Sequence, residues 1–367
     1  MSVIVVVSGS TADSRFAVTT FGQDASGALT GTPVTVYVKT GSASGCVVAC
    51  SGTLAAVGSS GAGSVWIYDI SNPWSPAQQG AVLETGLSGI GALSLDGTTL
   101  IAGDSAGPNI VLLDTSSSSP VPISVAPSGS FVGGVSSIVL RSSTAIASGK
   151  AGFAVLSAST SPSPQLTQQN FYTSPVSVTV GSISETFRTG VCDFDGSTAA
   201  LADEGGNNYY VYSISGGNAS PIAATNTGIY QPPFAIAVLQ SWSALASATF
   251  NEVFLGANAL GAPVAAVSIT PSVGAGALKF LAAQTSVTQS FLAVGTNNGS
   301  GGSPGVTLFN TNGWPNISAA AGSASTNLAN SANFTTSLGV TAFWPPGCQT
   351  AIQQFLSLLF AGRKGSG

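Results

Sequence analysis

The chain has 367 residues, of which 44% are hydrophobic and only 6% charged, with eight basic residues, 13 acidic residues, no histidine and a formal net charge of −5. Soluble domains usually carry about 25% charged residues, and disorder needs low hydrophobicity with high net charge, so this is a folded chain whose surface is mostly Ser, Thr, Asn, Gln and Gly. Eight scattered cations cannot track a phosphate backbone, which argues against a nucleic-acid partner, and the lack of His excludes Ser-His-Asp and Cys-His catalysis and imidazole metal ligation.

The first segments, VIVVVS (3–8), RFAVTTF (15–21) and PVTVYVKT (33–40), are short, β-branched and aromatic, and read as three strands. The start of the chain has no basic region and too short an apolar one for a secretory signal. GCVVAC (45–50) reads as a fourth strand. Four residues of extended chain place Cys46 and Cys50 about 13 Å apart, beyond the roughly 7 Å that a disulfide tolerates. Cys192 and Cys348 are isolated in sequence, so four buried or free thiols is the preferred reading, with a Cys46–Cys348 bridge as a lesser one.

VWIYDISNPWSP (65–76) is an alternating strand broken by turn-forming Asp and Asn and by two prolines, which cannot donate to a ladder. A further strand, GAVLE (80–84), is expected after it. The pattern of strand, Pro-marked polar turn and strand returns from residues 109, 153, 210 and 306, and pairs such as GIGALSL with TTLIAGD and GVSSIVL with STAIASG precede it. The first strands of these units start near 45, 88, 132, 186, 234 and 276, a period of about 42 to 54 residues. Four strands at that period are the signature of propeller blades. Six full units fit. The three N-terminal strands and one late strand, TTSLGVTAFW (335–344), make a seventh that joins the two chain ends. The expected fold is therefore an all-β, seven-bladed propeller over 1–345, followed by a tail over 346–367.

In that tail Ile352, Phe355, Leu356 and Leu359 follow helical spacing. A helix of about ten residues is too short to be stable alone, so its apolar stripe is expected to dock, either on its own propeller or, preferred here, on a neighbouring subunit. No run approaches the 18 apolar residues of a membrane span.

Tyr68-Asp69-Ile70-Ser71-Asn72-Pro73, with Pro76 and Gly80 beyond, resembles the repeat of LVIVD-type β-propellers of bacterial and archaeal surface proteins. The resemblance covers one unit well; the others keep the Pro-marked turn without the Asp-Pro pair. It implies an extracellular or envelope-associated propeller and carries no catalytic residues with it.

Without His, catalysis would need paired carboxylates, as in glycoside hydrolysis. The densest acidic stretch is CDFDGSTAALADEGG, with Asp193, Asp195, Asp203 and Glu204. Asp193 and Asp195 are also a calcium candidate, since Asp-x-Asp-Gly presents hard oxygens on a tight turn, yet the full calcium-loop spacing is missing and Asp-Gly is an ordinary hairpin turn. Solvated turn residues are the expectation; no cofactor is. Trp66, Trp74, Trp242, Trp314 and Trp344 are expected to pack between blades rather than stack on sugars. The Asn-x-Ser/Thr sequons at Asn218, Asn298, Asn316 and Asn333 follow from the abundance of Asn, Ser and Thr.

The function expected is non-enzymatic: a structural or adhesive propeller on a virion or cell envelope, binding other structural proteins or copies of itself. The second reading is a carbohydrate-binding lectin, with a propeller glycosidase a distant third. The sparse charge suits an exterior setting, and it equally suits drift in a GC-rich genome.

Overall fold

A computed structural model of the chain describes residues 2–10, 15–23, 29–39, 46–72, 74–117, 120–125, 131–205, 208–226, 233–239, 242–247, 253–257, 278–285, 290–296, 305–310, 320–325 and 337–344. They contain strands and no helix, and every strand pair is antiparallel. The apolar tail positions Ile352, Phe355, Leu356 and Leu359, and Cys348, lie outside the described residues.

The chain first runs through β1 (Ser2–Ser10), β2 (Arg15–Gln23) and β3 (Leu29–Lys39), each paired with the next. The next sheet starts with β4 (Cys46–Ser51), β5 (Leu54–Ser59) and β6 (Ala62–Asp69). A short piece, β7 (Ala77–Gln78), lies before GAVLE, of which only β8 (Leu83–Glu84) is strand; both pair with the edge of β6. Gly80, between them, has a φ of 71°, in the left-handed region that glycine adopts readily and regular extended strand does not use.

The following sheet is β9 (Ile90–Asp96), β10 (Thr99–Asp104), β11 (Ile110–Asp114) and β12 (Ile123–Val125), and the one after it β13 (Ser137–Arg141), β14 (Thr144–Gly149), β15 (Gly152–Ser159) and β16 (Gln165–Thr173). A two-stranded hairpin, β17 (Val176–Val180) and β18 (Ile183–Phe187), then intervenes. It accounts for the longest interval between repeat units. FRTGVCDF is accordingly split: Phe187 closes the hairpin and the next sheet starts at Thr189.

That sheet is β19 (Thr189–Phe194), β20 (Thr198–Asp203), β21 (Asn208–Ser215) and β22 (Asn218–Asn226). Then come β23 (Pro233–Leu239), β24 (Trp242–Ser247) and β25 (Val253–Ala257), and β26 (Leu278–Thr285), β27 (Ser290–Thr296), β28 (Gly305–Asn310) and β29 (Ala320–Ser325). The last strand, β30 (Ser337–Trp344), pairs with β1, in a register running from Val3 opposite Trp344 to Gly9 opposite Ser337. First strands of successive sheets touch: β4 meets β9, β9 meets β13, β13 meets β19, β19 meets β23, β23 meets β26, and β30 meets both β26 and β4.

Apolar layers fill the spaces between sheets. Val65 and Ile67 pack with Ile90, Leu93 and Leu100; Ile101 and Leu112 pack with Ile138, Leu140 and Leu156; Phe153 and Val155 pack with Phe194, Leu201 and Tyr212. Strands sandwiched in this way are buried on both faces, as β10 is at all six positions, and each large apolar side chain so buried contributes about 1.5–3 kcal/mol. The hairpin differs: β17 alternates buried Val176, Val178 and Val180 with exposed Ser177 and Thr179, so only one of its faces is covered.

Side chain to backbone hydrogen bonds tie a first strand to the next at a spacing of 45 or 46 residues at three joints, β4 to β9, β9 to β13 and β19 to β23. Ser51 Oγ accepts from Gly97 N at 2.8 Å, and Asp96 accepts from Ser142 N; both pairs are 46 residues apart and occupy equivalent turn positions. Two residues earlier in the strand, Ser94 Oγ accepts from Leu140 N at 2.8 Å, and Asp193 Oδ2 accepts from Val238 N at 2.7 Å, at spacings of 46 and 45 residues. Close backbone approach at the other end of these strands calls for glycine. A Cβ on Gly91 would stand 2.6 Å from the Val135 carbonyl oxygen.

Candidate functional site

The four carboxylates singled out in the sequence are separated by the fold. Asp193, half-buried in β19, is the joint to β23 just described and not a solvated turn residue. Burial pushes its carboxyl above the usual range, against the opposing pull of the Arg141 charge and of backbone hydrogen bonds from Val238 and Phe194. Asp195 occupies the β19–β20 turn, where its Oδ1 accepts from Ser197 N (2.9 Å), Ser197 Oγ (3.1 Å) and Thr198 N (2.8 Å), an Asx turn. Its Oδ2 is buried with no hydrogen-bond partner among the described residues.

Asp203 stands at the far end of β20, about 17 Å of extended strand from the Asp195 turn and about 10 Å along the strand from the position opposite Asp193, beyond the roughly 5–9.5 Å between the carboxyls of a glycosidase pair. Its Oδ1 accepts from Arg188 N (3.2 Å) and Gly205 N (2.9 Å). Glu204 forms an exposed ion pair with Lys150 at 3.2 Å, a type worth at most about 1 kcal/mol. No group of three metal-ligating side chains converges among the described residues.

A different pair of carboxylates shares a space. A cleft of about 550 Å³ opens between the hairpin, which contributes Ser177, Ser184, Glu185 and Thr186, and the β20–β21 region, which contributes Asp203, Asn208 and Tyr210. The alternating valines of β17 seat the hairpin on the core, and Phe187 stacks on Tyr210 with ring centroids 4.1 Å apart at 26°. That stacking aims the phenol at the hairpin, where Glu185 Oε2 accepts from Tyr210 Oη at 2.8 Å and from Asn208 Nδ2 at 3.3 Å. Burial raises the Tyr210 phenol well above its ordinary pKa, the Asn208 hydrogen bond opposes this, and the Glu185 and Asp203 charges add to it, so the phenol remains a proton donor. Asn208 Oδ1 is buried and without a hydrogen-bond partner among the described residues.

Of the cysteines, Cys50 and Cys192 are free thiols; burial pushes Cys192 up to about 11 and Cys50 higher still. Trp66 is buried in the sheet interior and Trp74 is 42% exposed on the loop after β6. Trp242 opens β24 and Trp344 ends β30; Trp314 lies outside the described residues. Asn218 begins β22, where its Oδ1 accepts from Asn170 Nδ2 at 2.9 Å, and the sequons at Asn298, Asn316 and Asn333 lie outside the described residues.

No family model matches the sequence, and no curated protein matches it. Solved structures do. A protein from Lactobacillus plantarum aligns with a TM-score of 0.63 at 14% identity, over 94% of this chain and 100% of its own. A functionally unknown protein from Desulfotomaculum acetoxidans aligns at 0.56 and 13% identity, over 88% and 98% of the two chains. A protein assigned as a 6-phosphogluconolactonase from Bacteroides uniformis aligns at 0.54 and 10% identity, over 85% and 93%. The chain has an all-β, propeller-like fold. At such identities the likeness concerns the fold alone.

Sequence reasoning passed over the cleft because it read FRTGVCDF as one strand. The signal was present in VSVTVGSISETF, where Val176, Val178 and Val180 alternate before a Gly-Ser turn. Glu185 stood outside the acidic cluster and therefore drew no notice.

Proposed function

We propose that the chain is a non-catalytic propeller of seven blades, closed by β30 joining β1, and that it serves as a binding or assembly platform on a virion surface or cell envelope. The ring reading is supported by the run of contacts between first strands, which returns from β26 through β30 to β4, and closure removes the unpaired edge that an open sheet array would expose. The observation that carries the non-catalytic reading is the commitment of Asp193, Asp195 and Asp203 to backbone donors. Asp193 holds a strand joint, Asp195 holds a turn, and Asp203 lies at the far end of β20, so these acids do not form the close carboxylate pair that glycoside hydrolysis needs. A phosphorylated lactone is a poor fit to the cleft as well, because Glu185 and Asp203 repel an anion there.

Partners in this reading are other structural proteins or further copies of the chain, with Ile352, Phe355, Leu356 and Leu359 as the docking stripe. Three measurements test it. Antibody labelling of intact particles or cells should find the protein outside, and a wholly internal distribution overturns the surface role. The purified chain should not turn over lactone, ester or glycoside substrates, and saturable hydrolysis lost in Glu185→Gln would make it an enzyme. Replacing Phe355 and Leu359 with Ser should abolish assembly and leave the monomer's melting temperature unchanged; the reverse pattern returns the stripe to its own propeller.

A further inference from the structure

We propose that the cleft between the β17–β18 hairpin and β21 binds a saccharide of about one or two sugar rings, recognised through its hydroxyl and amide donors. This does not rest on the platform reading. It starts from what the hairpin is: an addition to the repeat, with one face seated on the core through Val176, Val178 and Phe187 and with Glu185 turned towards the sheet. Pairing the strands of a sheet does not require it. Its presence creates the cleft, whose volume of about 550 Å³ lies within the range of small-ligand sites.

The balance of donors and acceptors selects the ligand. The fixed donors facing the cleft are already engaged, Tyr210 Oη on Glu185 and Asn208 Nδ2 on Glu185 and on Tyr210 Oη. What remains is acceptor capacity: Glu185 Oε1, Asp203 Oδ2 and the buried Asn208 Oδ1, none of which takes a hydrogen bond among the described residues. A buried acceptor without a donor is a liability that a ligand O–H or N–H relieves. Ser184 and Thr186 hydroxyls adapt to either role. An anion is excluded by the two carboxylates, and an apolar ligand would leave these acceptors unpaired. A bare metal ion is far smaller than the cleft and would find only two carboxylates in it, fewer than the six to eight oxygens calcium takes. A neutral sugar or an amino sugar satisfies all of these conditions, because carboxylates and amide oxygens accept readily from vicinal hydroxyls.

The test uses the full chain on a glycan array that carries neutral, N-acetylated, sialylated and sulfated oligosaccharides. Binding to neutral or N-acetylated glycans, with none to sialylated or sulfated ones, is expected. Two variants localise it. Ser184→Trp, at an exposed hairpin position, fills the cleft and should reduce the array signal at least tenfold with an unchanged melting temperature. Glu185→Gln keeps an acceptor for Tyr210 while removing the charge, and should weaken binding of the strongest glycan several-fold. No glycan bound, or a signal that neither variant alters, overturns the proposal. Calcium binding by calorimetry with calcium chloride alone, lost in Glu185→Gln, overturns it in favour of a cation site.

Discussion

Truncating Asp193 to Ala leaves the backbone N–H of Val238 without the acceptor that now stands 2.7 Å away. Val238 is 2% exposed, so water cannot replace the lost oxygen. Hydrogen bonds to charged groups contribute about 1.5–3 kcal/mol, and an orphaned buried donor costs about 1–3 kcal/mol; a destabilisation of about 2–3 kcal/mol is expected for Asp193→Ala. Asp193→Asn retains an amide oxygen at the same place and removes a charge whose burial is unfavourable, so it should remain within about 1 kcal/mol of the parent. Urea unfolding at neutral pH separates the two. The pH dependence adds a sign. Burial raises the Asp193 carboxyl above its ordinary 3.8, so the fold holds this proton more tightly than the unfolded chain does. Its contribution is full below 3.8 and is lost as pH rises through the folded value. The parent should therefore gain on Asp193→Asn as pH falls towards 3.8. An Ala variant within about 0.5 kcal/mol of the parent, or an Asn variant as damaged as the Ala one, refutes the joint.

Deleting residues 335–367 removes β30 and bares the edge of β1, and the product should aggregate or lose cooperative unfolding; a truncated chain that melts like the parent refutes closure. EDTA should leave the melting temperature unchanged, since no third metal-ligating side chain joins Asp193 and Asp195 among the described residues; a large drop establishes calcium. Gly91→Ala drives a methyl to 2.6 Å from the Val135 carbonyl oxygen and should destabilise by about 1–3 kcal/mol in denaturant titration. Burial lifts the Cys192 thiol from 9.0 to about 11, so the fold favours its protonated form, and stability present below pH 9 should decline between pH 9 and 11. Replacing Cys192 with Ala should flatten that alkaline decline, and an unchanged profile counts against the burial argument.

The repeat was legible because the two-sided burial of β10 and its counterparts writes continuous apolar runs, and Pro or Gly marks their ends. First strands expected near 45, 88, 132, 186, 234 and 276 start at Cys46, Ile90, Ser137, Thr189, Pro233 and Leu278. What escaped was local. GAVLE keeps only Leu83–Glu84 as strand, because Gly80 at its start has a positive φ, which residue identity alone does not reveal. The β17–β18 hairpin is covered on one face only, so its alternating pattern was absorbed into the neighbouring runs. The cleft was hidden for a related reason: Glu185 and Asp203 are 18 positions apart and line one space because the β17 valines and the Phe187–Tyr210 stack seat the hairpin beside β21.

The hydrogen bonds spaced 45 and 46 residues apart place an unequal demand on the two sides of each joint. The acceptor is a side chain, and Ser94 and Asp193 show that two chemically different residues fill the same role. The donor is a backbone N–H, which any residue but proline supplies. One repeat can therefore drift in sequence without breaking its bond to the repeat before it, as long as one short oxygen-bearing side chain keeps its place. A repeat copied or exchanged next to another would find its partner already present. Such a joint lets an array of units diverge until their common ancestry is no longer visible in their residues, while the geometry that stacks them persists.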